Sequence, residues 1–314
     1  MKVLVTGADG FVGSWLVPRL RQEGHAVVAA LRPTTATPGA GGLEPGVPTL
    51  PLELGDPNSI RAAVATAPDA VIHLAAVASG TDARRDPVSA WQVNAVGTAG
   101  LAEELGRVVS ERRGNPLLLV TSTAEVYGPG PTTPRVETDP TRPVSAYAAS
   151  KLAAEIAALE VHRRTGLRVI VARAFAHTGR GQNQRFVIPA LARRLALAKR
   201  ARAPAIKVGN LDPVREFMHV SDVVDAYCRL LSGGRPGEIY NVAGGGGIAL
   251  SDLLDRLMEI VGHRVIPEAD PELVRPADIP YLVGDAAKLR AATGWSPRVP
   301  LEDVLAEVVD AQAN

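Results

Sequence analysis

The chain has 314 residues, of which 46% are hydrophobic and 21% charged, and this ordinary globular composition excludes a mostly disordered or fibrous protein. Its 34 lysines and arginines balance 33 acidic residues, so the formal net charge of +1 provides no overall attraction to nucleic acid or an anionic membrane. The single cysteine excludes an internal disulfide, and the six histidines show no metal-ligand spacing, so we expect no structural metal. No apolar run is long enough for a membrane span or a signal peptide, so we expect a cytoplasmic protein.

Short apolar runs alternate with helical patterns in the first part of the chain. The runs predict buried parallel strands, and the longer segments have the spacing of helices. The predicted strands cover residues 3–5, 26–29, 70–74, 117–120 and 169–172, and the predicted helices cover 15–23, 95–112 and 146–164. This order predicts an α/β fold, with a doubly wound parallel sheet of Rossmann type over residues 1–172.

The second part of the chain has a different texture, with loops rich in glycine, arginine and glutamine. Helical patterns there cover residues 189–200, 250–261 and 301–310. The proline-rich stretch 267–280 predicts an ordered loop. We expect residues 173–314 to form mainly a smaller C-terminal lobe, with residues 214–244 returning to the first domain.

A glycine-rich turn follows the first predicted strand immediately. It contains Gly7, Gly10 and Gly13, and Phe11 and Val12 open the next helix. Glycine lets the backbone approach a pyrophosphate closely, and the unpaired N–H groups of a helix N-terminus favour the anion. An ordinary turn can carry the same glycines, but the strand-turn-helix position favours a dinucleotide site.

The end of the second predicted strand favours NADP(H) over NAD. An acidic residue there would accept a hydrogen bond from the ribose 2′-hydroxyl, but the strand ends in Arg32, followed by Thr34 and Thr35. These side chains can hold a 2′-phosphate, although a solvated loop arginine is the alternative. For Asp56 two interpretations stay open, a contact to the adenine amino group or a helix N-cap.

Tyr147 and Lys151 are four residues apart and therefore lie on one face of a predicted helix. A nearby ammonium favours the phenolate, so we expect Lys151 to lower the pKa of Tyr147 and make it a general acid or base near neutral pH. The hydroxyls of Thr121, Ser122 and Thr123 follow the fourth predicted strand, at the sheet edge where doubly wound folds bind ligands. The pair alone would more often be surface residues, but the combination predicts an active site.

Together these motifs resemble the extended short-chain dehydrogenase/reductase superfamily over essentially the whole chain. The resemblance rests on the glycine turn, the stretch 73–76, Asn94, Thr123, and Tyr147 with Lys151. It implies that Tyr147 is the general acid or base, that Thr123 hydrogen-bonds the reacting oxygen, and that Lys151 holds the nicotinamide ribose. It also implies cofactor contacts from Leu74, Ala75, Ala76 and Asn94.

The later half resembles the nucleotide-sugar branch of this superfamily, the NAD-dependent epimerase/dehydratase family, and within it the GDP-mannose group. The matching segments are 182–198, 206–211, 215–217, 220–223, 240–242, 275–278, 283–285 and 293–295. In that branch two arginines matching Arg215 and Arg275 meet the diphosphate of the substrate, with surface ion pairs as the alternative. The resemblance implies that the C-terminal lobe binds substrate, with contacts from His177, Arg185, Val208 and Asn210.

The resemblance implies NADPH-dependent reduction of the C4 ketone of a nucleotide-linked 4-keto-6-deoxyhexose, with GDP favoured over dTDP as the nucleotide. Ala176 stands where the family usually has asparagine, and His177 either compensates for it or is a packed loop histidine. A dehydratase or epimerase of nucleotide sugars is the alternative, with Glu125 as the base of a dehydratase. A non-catalytic NADP-binding sensor is another, although such proteins typically lose the tyrosine or lysine. In this superfamily the helices matching 95–112 and 146–164 pair at a dimer interface, so the resemblance implies a homodimer, with burial of these helices within one subunit as the alternative.

Overall fold

The computed structural model describes residues 1–33, 43–274 and 278–313. The strands are β1 (Lys2–Thr6), β2 (Ala26–Leu31), β3 (Thr49–Pro51), β4 (Ala70–His73), β5 (Leu117–Thr123), β6 (Arg168–Ala174), β7 (His177–Thr178), β8 (Ala205–Val208), β9 (Val214–Arg215), β10 (Met218–His219), β11 (Ile239–Val242), β12 (Ile248–Ala249), β13 (Ile266–Ala269) and β14 (Tyr281–Leu282). Seven of them form one parallel sheet in the order β3-β2-β1-β4-β5-β6-β11. The chain starts in the middle of the sheet and winds outward in both directions, which confirms the predicted doubly wound fold.

The helices fill the connections between these strands. They are α1 (Phe11–Gln22), α2 (Pro57–Val64), α3 (Gly80–Arg85), α4 (Pro87–Ala90), α5 (Gly97–Ser110), α6 (Ala146–Thr165), α7 (Val187–Ala201), α8 (Val220–Gly233), α9 (Leu250–Val261), α10 (Ala287–Thr293) and α11 (Leu301–Ala313). A π-helical turn (Trp91–Val96) joins α4 to α5, and 3-10 turns cover Ala124–Tyr127 and Pro271–Leu273. Among the helices of the described ranges, none has the length and apolar character that crossing a membrane requires.

Helices cover both faces of the main sheet, because its central strands are apolar on both sides. Every residue of β4 and β5 is buried. One face packs against α1 and α8 through residues such as Leu20 and Val224. The other packs against α2, α5 and α6 through residues such as Ile60, Leu105 and Ala158. Burying one such aliphatic side chain contributes about 1.5–3 kcal/mol, so many small contacts hold the strand ends in place.

The second lobe has its own apolar core, formed mainly by α7, α9 and α11. These three helices lie where the helical patterns predict them. The prediction of a loop over 267–280 is wrong at its start, because β13 pairs in parallel with β8. Ile266 donates its N–H to the Pro204 carbonyl at 2.8 Å. A parallel ladder uses the N–H of alternate residues, so Pro267, the next residue, costs no ladder bond.

The chain returns to the main sheet after α8. There β11 lies beside β6, with Val242 opposite Ala174. The carboxyl ends of the central strands therefore face a second lobe made from segments on either side of β11. A boundary at residue 172 stays a prediction.

Candidate active site

A cavity of about 1170 Å³ lies between the carboxyl edge of the main sheet and the second lobe. Most of the site residues predicted from the sequence line it: Gly7, Gly10, Phe11, Val12, Gly13, Arg32, Leu74, Ala75, Ala76, Thr123, Glu125, Tyr147, Lys151, His177, Arg185, Asn210 and Arg215. Three predicted residues do not line it: Asp56, Asn94 and Val208. Three more lie outside the described residues: Thr34, Thr35 and Arg275.

The glycine turn between β1 and α1 brings backbone very close to backbone. Gly7 has a φ of +65°, and a Cβ atom there would lie 2.8 Å from the Ala75 nitrogen. A Cβ atom at Gly13 would lie 2.4 Å from the Ala8 carbonyl oxygen. Gly10 begins α1 without a side-chain cap, and the first turn holds no acidic residue. A helix N-terminus of this kind, open to the cavity, fits the diphosphate of a dinucleotide.

A buried hydrogen-bond chain supports this turn from behind. Thr6 Oγ1 and His73 Nδ1 are 2.7 Å apart, and His73 Nε2 lies 3.0 Å from Thr98 Oγ1. Burial lowers the pKa of His73 to about 3, so its imidazole is neutral at neutral pH. Asn94 donates to Ser150 Oγ on α6 at 3.0 Å and is 1% exposed. The structure thus brings Asn94 next to the site but not into the cavity that a cofactor would occupy.

Two further predicted contacts, from Asp56 and Val208, lie outside the lining of the cavity and stay predictions. Asp56 Oδ1 accepts the backbone N–H of Asn58 at 2.9 Å, so of its two interpretations the structure contains the N-cap, here of α2. Val208 packs into the core of the second lobe with 3% of its surface exposed. Its successors Gly209 and Asn210 line the cavity, because the chain leaves the strand there.

The four predicted catalytic residues come together at the carboxyl end of β5. Tyr147 and Lys151 lie on the first turns of α6, which begins at Ser145 with a side-chain cap. Thr123 ends β5, and its Oγ1 accepts the backbone N–H of Glu125 at 3.2 Å. The Thr123 hydroxyl is near enough to the Tyr147 phenol to act on its pKa. We call Thr123, Glu125, Tyr147 and Lys151 the floor of the cavity.

Burial dominates the electrostatics of this floor. It raises the pKa of Tyr147 above the ordinary value; the Glu125 carboxylate acts in the same direction and the Thr123 hydroxyl opposes both. The prediction of a lowered Tyr147 pKa is wrong, because desolvation of the phenolate is the dominant effect. Burial lowers the pKa of Lys151 to about 8, against the opposing effect of Glu155. In this arrangement Tyr147 is a protonated phenol at neutral pH, able to donate a hydrogen bond or a proton.

Two arginines lie where the second lobe meets the cavity. Arg215 on β9 donates to Asp278 at 2.7 Å, and Arg185, just before α7, donates to Asp82 on α3 at 2.6 Å. The Arg215 side chain is 15% exposed, whereas that of Arg185 is 44% exposed. We call these two ion pairs the rim of the cavity. The Arg185 pair joins the two lobes across the opening.

Ala176 and His177 line the cavity just after the end of β6. His177 Nδ1 is 2.9 Å from the Phe175 carbonyl oxygen, so Nδ1 carries the proton and Nε2 is the acceptor. Its ring is parallel to that of Phe11, with 6.3 Å between centroids, and burial lowers its pKa. Ala176 is exposed to the cavity and offers it only a methyl group. His177 is therefore both packed and in contact with the cavity, which keeps both of its interpretations open.

Several lining residues were not predicted from the sequence, and Tyr227 is one of them. Tyr227 lies on α8, is 2% exposed and contributes to the same cavity. Burial raises its pKa, and Tyr147 acts in the same direction. Its position on the apolar face of α8 is that of an ordinary core aromatic, so no local signal marks it. Across the described ranges no group of three or more His, Cys, Asp or Glu side chains could hold a metal ion.

Comparison with known proteins gives a consistent family. The sequence matches the family described as GDP-mannose 4,6 dehydratase over residues 4–308. It is 35% identical to GDP-6-deoxy-D-mannose reductase from Pseudomonas aeruginosa over 311 residues, which cover 98% of this chain and 96% of that protein. It is 30% identical to GDP-6-deoxy-D-talose 4-dehydrogenase from Aggregatibacter actinomycetemcomitans over 297 residues, which cover 94% and 92%. The fold matches the structure of RMD from Pseudomonas aeruginosa complexed with NADPH, with a TM-score of 0.83, 33% identity, and coverage of 99% of this chain and 98% of that chain.

Proposed function

The chain belongs to the GDP-mannose 4,6 dehydratase family, and from this premise we propose that it reduces the C4 ketone of a GDP-linked 4-keto-6-deoxyhexose with NADPH. One observation carries the proposal: the Tyr147 phenol, protonated at neutral pH, lines the same cavity as Thr123 and the glycine turn. An oxygen that receives a proton during ketone reduction needs such a donor beside the cofactor.

The residues at the cofactor end fit a nicotinamide dinucleotide phosphate. The turn from Gly7 to Gly13 can hold the diphosphate, Arg32 can hold the 2′-phosphate, and Lys151 can hold the nicotinamide ribose. When bound, NADPH supplies the hydride. The structure of RMD from Pseudomonas aeruginosa is a complex with NADPH, which supports the choice.

The floor residues have separate tasks in this reaction. Thr123 donates a hydrogen bond to the ketone oxygen and holds it beside Tyr147. Tyr147 then gives its proton to that oxygen as the negative charge develops there. Lys151 keeps a positive charge nearby, which stabilises the phenolate left behind. The raised pKa of Tyr147 favours its protonated form, the form that the reduction direction requires.

The rim residues are suited to the nucleotide diphosphate of the substrate. Arg185 and Arg215 both line the cavity, and guanidinium groups bind phosphate through paired charge-assisted hydrogen bonds. Asn210 and His177 line the same cavity. We assign Arg275 to the diphosphate by resemblance alone. The lobe formed mainly by residues 173–314 would thus bind the substrate, and the domain of residues 1–172 the cofactor.

A 4,6-dehydratase is the second candidate, and Glu125 is the observation that favours it. Its carboxylate lines the cavity close enough to Tyr147 to raise the pKa of the phenol. A carboxylate in that position could remove the C5 proton after oxidation at C4.

We further propose that the protein acts in the cytoplasm as a homodimer. Four large apolar side chains are exposed on α4, the π-helical turn and α6: Val88 (65%), Trp91 (43%), Val96 (64%) and Ile156 (60%). Exposed apolar residues on neighbouring helices are typical of a protein interface. Sedimentation velocity of the wild type and of Ile156→Glu tests this: a dimer that becomes a monomer supports it, and a monomeric wild type contradicts it.

The activity is tested with purified protein, NADPH and GDP-4-keto-6-deoxymannose, following the absorbance of the reduced nicotinamide, with GDP-mannose alone as the parallel sample. Consumption of NADPH only with the keto sugar supports the reductase, and the product gives the C4 configuration. A keto sugar formed from GDP-mannose supports the dehydratase. NADPH consumption only with a dTDP-linked keto sugar would show that the substrate carries dTDP instead of GDP. Binding of NADPH without turnover of any of these sugars would favour a non-catalytic sensor.

A further inference from the structure

A third charged residue continues the line of Tyr147 and Lys151 along α6. Glu155 comes four residues after Lys151, so the three side chains lie on one face of the helix, one turn apart. Glu155 is 1% exposed and Lys151 is 4% exposed. The proposed function uses the first two residues and leaves the buried carboxylate without a role.

The Glu155 carboxylate is fixed from two strands of the main sheet. Arg173 on β6 donates from Nη2 to Oε2 at 2.7 Å and from Nε to Oε1 at 3.1 Å. Ser122 on β5, the residue before Thr123, donates its hydroxyl to Oε1. The guanidinium of Arg173 also lies over the Tyr127 ring, 4.9 Å from its centroid. A carboxylate held by three donors is charged and has one position.

We propose that Glu155 is a positioning residue for Lys151: its fixed carboxylate, one helical turn away, keeps the Lys151 ammonium charged in the desolvated floor. This inference rests on the proposed function, because it concerns a residue of that site. Among the described residues Lys151 has no salt bridge within 4.0 Å, so its charge depends on groups beyond direct contact. Glu155 acts in the direction that retains the proton.

The surrounding charges leave Glu155 as the main support for Lys151. The titratable groups around Lys151 and Glu155 are Tyr147 on α6, Glu125 after β5, Tyr227 on α8, His73 on β4, Arg173 on β6, and Tyr127 and Glu137 beyond Arg173. Of these neighbours and Glu155, only Glu155 raises the pKa of Lys151. His73 is neutral because burial lowers its pKa to about 3. Burial also raises the pKa of Tyr127, so this phenol is protonated. Glu137 lies beyond Arg173, where its backbone carbonyl accepts from Nη1 at 3.4 Å.

The expected consequence is a change in pH dependence. With Glu155 in place the pKa of Lys151 is about 8, so most molecules carry the charge at neutral pH. Loss of the carboxylate removes the one effect that opposes desolvation and leaves the Arg173 charge unbalanced. Lys151 then loses its proton at a lower pH, by about one pH unit, the lower end of what a nearby opposite charge contributes.

The test reads the charge of Lys151 directly. The reactivity of its amine toward acetic anhydride is measured against pH by mass spectrometry of the Lys151 peptide, in wild type and Glu155→Gln. We expect the midpoint to fall by about one pH unit in the variant. An unchanged midpoint overturns the inference. This readout requires no substrate, so a failure of the proposed reductase activity would not be mistaken for a failure of this inference.

Matched variants separate charge from folding. Glu155→Gln leaves Arg173 unpaired and can fail to fold, so the double variant Glu155→Gln/Arg173→Met removes both buried charges, which proteins often tolerate. It should also show a downward shift of the Lys151 midpoint, smaller than in the single variant because the Arg173 charge no longer repels the ammonium. Glu155→Asp should restore the midpoint toward wild type, and Ser122→Ala, which keeps both charges, should leave it nearly unchanged. If Glu155 had only a structural role, its variants would melt at lower temperatures, but the midpoint of Lys151 labelling would be the same in the wild type and in every variant. In the reductase assay the alkaline limb of kcat/KM should shift with the labelling midpoint.

Discussion

The floor and the rim of the cavity hold their charges in opposite ways. In the floor, Lys151 is 4% exposed and has no salt bridge among the described residues, and burial sets the pKa values of both Lys151 and Tyr147. In the rim, Arg185 and Arg215 each have a carboxylate partner within 2.7 Å and keep 44% and 15% of their side-chain surface exposed. Proton transfer in the floor requires that Tyr147 start in its protonated form. Binding of a diphosphate at the rim requires arginines that can exchange a carboxylate partner for a phosphate.

We therefore expect substitutions in the floor and in the rim to change different kinetic constants. A floor residue acts as charge develops on the reacting oxygen, so its loss should lower kcat. A rim residue contacts a part of the substrate that does not react, so its loss should raise KM and leave kcat nearly unchanged. The following variants test this separation.

The largest effect is expected for Tyr147→Phe, which removes the proton donor of the floor and little else. Turnover should fall by about 100-fold or more, the contribution of a general acid, while NADPH binding measured by fluorescence stays intact. Tyr281→Phe is the matched control, because Tyr281 on β14 does not line the cavity. Turnover of Tyr147→Phe equal to that of the control would show that the proton comes from another group.

Arg215→Met should have the next largest effect, this time on KM. Loss of a charge-assisted contact to the diphosphate should raise the KM for the GDP sugar by about 10-fold to 100-fold. Arg256→Met is the control, because Arg256 pairs with Glu302 on the surface, away from the cavity. Kinetics with the GDP sugar varied at saturating NADPH separate the two constants. A fall in kcat with an unchanged KM would contradict the division between floor and rim.

Site residues that are close together in the chain, or that end neighbouring strands, could be predicted from the sequence. The glycine turn follows one strand, and Tyr147 and Lys151 lie one helical turn apart on one helix. Because parallel strands end at one edge, Thr123 could be assigned to the same site. The direction of the Tyr147 pKa could not, since it depends on burial by distant segments, including the Tyr227 helix.

The rim was harder to predict for the same reason. The sequence identifies Arg185 and Arg215 as candidate cations, but it does not reveal which carboxylates approach them. Asp82 is 103 residues away from Arg185 in the chain, and Asp278 is 63 residues away from Arg215. Asp56 and Val208 show a related limit: Asp56 caps α2 and Val208 packs in the core of the second lobe, and the sequence alone does not distinguish such structural positions from binding positions.

Arg32→Ala extends the test to the cofactor, and we expect it to change the KM for NADPH by about tenfold. Arg32 is exposed at the end of β2 and lines the cavity, so it should act on binding like a rim residue. The KM for NADPH should rise, while that for NADH, which has no 2′-phosphate, should stay nearly constant. Equal changes in the KM values for NADPH and NADH would show that Arg32 does not bind the 2′-phosphate.

Asp82→Asn should give the smallest effect, and its direction is the informative part. The Arg185–Asp82 pair is largely exposed, and pairs of this kind contribute only about 0.2–1 kcal/mol. If the diphosphate displaces Asp82 from Arg185, the variant releases the arginine in advance, and the KM for the GDP sugar should fall by up to about fivefold. Asp278→Asn is the counterpart: its partner Arg215 is more buried, so loss of Asp278 should disorder the guanidinium and raise KM. Opposite signs from two equivalent substitutions would show that one ion pair of the rim opens on binding while the other orients its arginine. An increase of KM in both variants would mean that neither carboxylate is displaced.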